Sequence, residues 1–150
     1  MVHKIRIIMI QLAEIKKMEE YKKLEGTFQY FFQVFEYCAS QETSFGLYAP
    51  RLYGELHNHC GCVAYSVQQL CGGKIIKGTV LRDNRPITHY WNQLHEMHID
   101  FCAEQFGLEG IQLAIGTTLP THTFKGFKST KTVNPRFQLF WSRVQQTLNQ

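Results

Sequence analysis

Apolar positions recur along the chain in two rhythms, one helical and one alternating. Ile8, Leu12, Ile15 and Met18 fall on one side of a helix over about residues 6–25, with Glu19, Glu20, Lys22 and Lys23 on the wet side. Gly26-Thr27 interrupts that pattern, and Thr27 is placed to cap a second helix over about residues 28–39. Phe28, Phe31, Phe32, Phe35, Cys38 and Ala39 share one face of it. Tyr30, Val34 and Tyr37 widen that face, which predicts burial on most sides. Residues 40–57 carry Gly46, Pro50 and Gly54 and read as an irregular loop, with Tyr48, Arg51 and Tyr53 as candidate lining of a cleft wall or simple surface packing.

The clearest helix follows. Cys60, Val63, Ala64, Val67 and Cys71 recur at i, i+3, i+4, i+7 and i+11, with Asn58 as the predicted N-cap and Gly72-Gly73 as the stop. Residues 74–81 alternate as a strand, and residues 82–86 form a turn. Residues 88–94 and 97–101 are aromatic and β-branched, and a short connection at His95-Glu96 makes them a hairpin. A short helix is expected through Glu104-Gln105-Phe106, then loop with short strand pieces over 107–129, in which 117–128 is a candidate cover for a cleft. Asn134-Pro135 starts a last helix through Leu148, with Phe137, Phe140, Val144 and Leu148 facing inward and Trp141 alongside.

Composition narrows the classes. A chain of 150 residues that is 44% hydrophobic and 13% aromatic suits one domain with an ordinary core. Sixteen Lys and Arg against twelve Asp and Glu give a net charge of +4, scattered rather than clustered, which argues against nucleic-acid binding. No run approaches a membrane-spanning length. Five cysteines, with Cys60 and Cys62 one residue apart, do not form a disulfide framework, so a reducing, cytoplasmic setting is expected.

The candidate chemistry sits at the helix start. Cys60 falls in the first turn, where unpaired N–H groups and the helix dipole favour a thiolate. An even-numbered hairpin loop sets His89 opposite Asp100 or Cys102, and in either register His89 and Asp100 share a face. A helix-terminal Cys, a strand His and a neighbouring Asp are the parts of a Cys-His-Asp site. Asn58 and His59 are candidate oxyanion donors beside the Cys60 N–H. Trp91 and Asn92 follow the histidine, and the indole is expected to pack over the His–Asp pair more than to touch substrate. Cys62 is a rival nucleophile two residues deeper. The run His57-x-His59-Cys60-x-Cys62 keeps a small zinc-binding domain open, although C-x-C entering a helix aims its thiols to different sides.

These blocks resemble the YunG-like family of small bacterial proteins. The matching residues are Glu42-Thr43-Ser44, then Cys60-x3-Ala64-x2-Val67-Gln68-x3-Gly72-Gly73. His89-Tyr90-Trp91-Asn92-x-Leu94, Ile99-Asp100-Phe101-x3-Gln105-Phe106 and a basic aliphatic last helix complete the set over about residues 40–150. Asn58-His59 stands where that family has Gly-Gln, and the turn before Asp100 is about a residue shorter. The resemblance implies a papain-like or transglutaminase-like fold with Cys60, His89 and Asp100 as its catalytic set.

The expectation is therefore an α+β, papain-like single domain over 1–150, with N-terminal helices over about 1–39 and a catalytic core over 40–150. A nucleophile-bearing helix packs on a small antiparallel sheet. The expected activity is that of a thiol hydrolase or acyltransferase of protease, amidase, deamidase or transglutaminase type. It works through a thioester on a protein, peptide or small amide substrate, without cofactor or metal. A non-catalytic interaction domain keeping the same fold is the alternative from another class.

Overall fold

The computed structural model describes residues 6–9, 14–53, 55–82, 85–95, 97–103 and 134–150. In chain order these form strand β1 (Arg6–Met9), helix α1 (Glu14–Cys38), a 3-10 turn (Gln41–Thr43), a short helix α2 (Pro50–Tyr53), helix α3 (Cys60–Cys71), strands β2 (Lys74–Arg82), β3 (Arg85–Leu94) and β4 (Met97–Asp100), and helix α4 (Pro135–Leu148). The class is α+β. The sheet is antiparallel, with four strands in the order β1-β4-β3-β2. The helix after Asp100 and the whole of 107–129, including the candidate cover 117–128, lie outside the described residues.

Two expectations at the N-terminal end are corrected. Residues 6–9, read as the start of a helix, are a strand in which Arg6 pairs with Asp100 and Met9 with Met97. The apolar stripe across Ile8 and Leu12 is a local signal, and a partner strand ninety residues away outweighs it. The two helices expected on either side of Gly26 are one helix of 25 residues. Gly26 is exposed and a Cβ there would meet nothing within 4 Å, so this glycine weakens the helix without ending it. The helix is also less enclosed than expected: Phe28, Phe32, Val34, Phe35 and Cys38 are buried, whereas Tyr30 and Tyr37 are exposed.

The core forms where α1, α3 and α4 meet one face of the sheet. Phe101, just after β4, receives Phe28 and Phe35 edge-on with ring centroids 5.9 and 5.3 Å apart. Phe35 also meets Phe140 of α4 at 6.0 Å. Val63, Ala64 and Val67 of α3 join Ile75, Leu94 and Ile99 of the sheet in the same cluster. Asn134 caps α4 by accepting from the Arg136 N–H at 2.9 Å, and Pro135 takes the first position, where no N–H is needed. Arg143 ties α4 to the end of α1, donating to Ser40 Oγ at 2.7 Å and pairing with Glu42.

Two backbone positions bring the candidate site into place. Gly73 leads into β2 at φ +75, where a Cβ would come within 2.5 Å of the Gln93 carbonyl oxygen. Only glycine combines that conformation with that approach. In the β3–β4 hairpin Leu94 pairs with Met97, and His95 takes φ 53.

Candidate active site

The hairpin register decides which side chains of β3 and β4 meet. Asn92 pairs with Ile99 and Gln93 with His98, so continuing one step sets Trp91 opposite Asp100 and His89 diagonal to it. The diagonal is bridged by the ring: His89 Nε2 lies 2.7 Å from Asp100 Oδ2. The other carboxylate oxygen accepts the Cys102 N–H at 2.9 Å. Both oxygens are thus fixed, one by backbone and one by the imidazole. With Nε2 given to Asp100, Cys60 lies close enough to the His89 ring to act on its charge. Cys60 opens α3 and is half-buried, while His89 is fully buried.

The electrostatics of the ring follow from its neighbours. Burial opposes a charged imidazole, but the Asp100 charge, the Asp100 hydrogen bond and Cys60 together outweigh it. The His89 pKa is pushed up to about 10. At neutral pH His89 is held as imidazolium. Trp91 lies against the ring, with centroids 5.7 Å apart and planes 28° apart, and is itself buried. Its indole N–H donates to His98 Nδ1 at 2.8 Å, which fixes the slab that keeps water off the His89–Asp100 pair. Burial lowers the His98 pKa, so His98 is a neutral acceptor there.

The structure assigns other partners to the candidate oxyanion and substrate groups. Asn58 is not the helix cap. It takes φ 59, and its amide donates to the Leu47 carbonyl at 2.9 Å. The N-cap is His59, whose side chain makes no cap hydrogen bond. Its Nδ1 faces the His57 carbonyl at 2.7 Å and its Nε2 faces Thr43 Oγ1 at 2.8 Å. A carbonyl only accepts, so Nδ1 carries the proton and Nε2 accepts from the Thr43 hydroxyl. Burial lowers the His59 pKa, in keeping with that neutral tautomer. His59 is therefore a buried brace, and its side chain does not cap the first turn of α3. Asn92 donates to the Ala64 carbonyl at 2.9 Å and pins β3 to α3.

Cys62 is buried. Its sulfur contacts the Thr43 and Arg136 carbonyls at 3.5 and 3.6 Å. Burial, partly offset by Arg136, pushes its pKa up to about 12, so the thiol is inert at neutral pH. Among the described residues no three His, Cys, Asp or Glu side chains converge on a point that would hold a metal ion.

Sequence reasoning missed Thr43, His98 and Tyr90. Thr43 was legible only as part of a short block, because its role depends on a contact with His59 across sixteen positions. Tyr90 is half-buried, and its pKa is raised first by burial and then by the charge of Cys60, which places the phenol in the field of that sulfur.

A family model described as YunG protein matches residues 17–149. No curated protein and no solved structure matches the chain. No described helix is long and apolar enough to cross a membrane.

Proposed function

This chain belongs to the YunG family, and we propose that it is a cysteine-dependent hydrolase or acyltransferase working through Cys60, His89 and Asp100. The observation that supports this most directly is the His89 ring, fully buried, held 2.7 Å from Asp100 and close enough to Cys60 for that side chain to raise its pKa. A nucleophile, a base beside it and a third group that orients the base are the minimal parts of such a site. The papain-like fold belongs to the same proposal. Its support is the arrangement itself, a helix opened by the nucleophile and packed on an antiparallel sheet that carries the base and the acid.

In this mechanism the proton shared by the pair rests on His89, and the Cys60 sulfur attacks the carbonyl carbon of an amide or ester. The carbonyl π electrons move to oxygen, and the oxyanion is held by the first-turn N–H groups of α3. His89 gives its proton to the leaving nitrogen or oxygen as the C–N or C–O bond breaks, leaving a thioester on Cys60. Water, or an acceptor amine, then attacks the thioester while His89 takes its proton, and the sulfur leaves. Asp100 keeps the ring turned so that Nδ1 faces the sulfur throughout. Trp91 excludes the water that would weaken the His–Asp bond.

The test is thiol reactivity in the intact protein. Iodoacetamide at pH 6–7 should alkylate Cys60 before Cys62 and Cys102, as read by mass spectrometry of fragments. Asp100→Asn and His89→Gln should each slow that reaction about 10²-fold or more, the range spanned by general acid–base contributions. A Cys60 that reacts no faster than a free thiol at every pH overturns the enzyme reading in favour of an interaction domain.

A further inference from the structure

The loop between the 3-10 turn and α3 is built inside out. Its polar groups are spent on the loop itself. Gln41 donates to the Gly46 carbonyl at 2.8 Å and accepts the Tyr48 N–H at 3.0 Å, and the Tyr48 hydroxyl donates to the Glu55 carbonyl at 2.7 Å. Its apolar side chains point the other way: Phe45, Leu47 and Leu52 are 74%, 75% and 76% exposed. Scattered exposed apolar residues are ordinary, but a braced loop that presents three of them beside a candidate nucleophile is a prepared surface.

Two hydrogen bonds tie Phe45 and Leu47 to the residue two places before Cys60. The Phe45 N–H donates to the Asn58 carbonyl at 2.9 Å, and the Asn58 amide donates to the Leu47 carbonyl at 2.9 Å. The patch is thus tied two residues ahead of the nucleophile, and Tyr48 packs edge-on against His59 at 5.1 Å. A cation borders it. The Arg136 guanidinium lies over the Phe45 ring at 5.1 Å and the Phe137 ring at 5.6 Å. It makes no ion pair among the described residues. A guanidinium laid on aromatic faces keeps its N–H edge for a planar anion, and a carboxylate is the group that edge fits.

We infer that this patch docks an extended segment of the substrate in which an acidic side chain sits among apolar ones, so that Cys60 acts on a protein or peptide rather than on a small amide. The inference rests on the thiol-enzyme reading above. An extended segment presents side chains about 3.3 Å apart along its length. It can therefore set apolar groups on Phe45, Leu47 and Leu52 and a carboxylate on Arg136 while a backbone carbonyl reaches the α3 start. The internal braces hold the loop in one shape beforehand, so docking orders little of it.

The experiment follows alkylation of Cys60 by iodoacetamide in the full chain, with and without acetylated, amidated hexapeptides. One peptide has a Leu-Glu-Phe centre and the other a Leu-Lys-Phe centre. The Glu peptide should slow alkylation about fivefold more than the Lys peptide at equal concentration, and Arg136→Glu should reverse that order. The surface variant Leu47→Ser/Leu52→Ser, which disturbs no buried group, should lose protection by both peptides. Equal protection by the two peptides, or none from either, overturns the inference and leaves the enzyme reading standing. A Cys60 that is not the preferred site of alkylation without peptide overturns the enzyme reading and this inference with it.

Discussion

Two histidines lie on either side of the Cys60 seat, and their neighbours drive them to opposite charge states. His89 is buried but gains a carboxylate, and its pKa rises to about 10. His59 is buried, has no carboxylate beside it and feels the Arg136 charge, and its pKa falls. The raised value makes His89 a source of stability that is complete below its unfolded pKa of about 6.5 and is lost as pH climbs through about 10. Urea unfolding between pH 6.5 and 10 should therefore show a falling free energy in the native chain, and a flatter profile in His89→Gln. At His59, Thr43→Val keeps the shape but removes the hydroxyl that faces a buried nitrogen and also accepts the Ser40 N–H. It should cost about 1–3 kcal/mol in the same assay. His89 and Asp100 were legible as neighbours because the strand period and the hairpin register fix which faces they occupy. The partners of Asn58, His59 and Asn92 were not. Each is settled by a carbonyl or hydroxyl on another segment, Leu47, Thr43 or Ala64, that no local pattern announces.

Elements whose boundaries carry their own chemistry were readable from the chain. α3 ends at Gly72, α4 begins at Asn134-Pro135, and the β3–β4 hairpin turns at His95. Elements decided by distant pairing were not, as β1 shows. At Gly26 a signal that reads as a break is one the fold simply tolerates. The two glycines give opposite predictions. Gly26→Ala fills open space in a helix and should raise stability by up to about 1 kcal/mol. Gly73→Ala strains a φ of +75 and drives a methyl into the Gln93 carbonyl, and should lower stability by roughly 1–3 kcal/mol or more. Thermal melts of the two variants, run together, check both signs.

Across the whole molecule, α4 is the strut that keeps the site in register. Phe140 is fully buried, meets Phe35 of α1, and lies 5.9 Å from the His59 ring. Phe140→Ala should cost about 3–5 kcal/mol by opening a cavity. Because that cavity borders the brace behind Cys60, alkylation of Cys60 should lose its preference over the buried thiols before the chain unfolds, as hydrogen exchange and mass spectrometry would show. The two more reachable sulfurs, Cys60 and Cys71, open and close the same helix, eleven positions and so about 16 Å of helix axis apart. Only the first has the His89 ring beside it. Both fall on the single tryptic fragment released between Arg51 and Lys74. Every digest of a labelled sample therefore carries its own internal standard, in which the tag on Cys71 reports the dose of reagent and the tag on Cys60 reports what the fold adds.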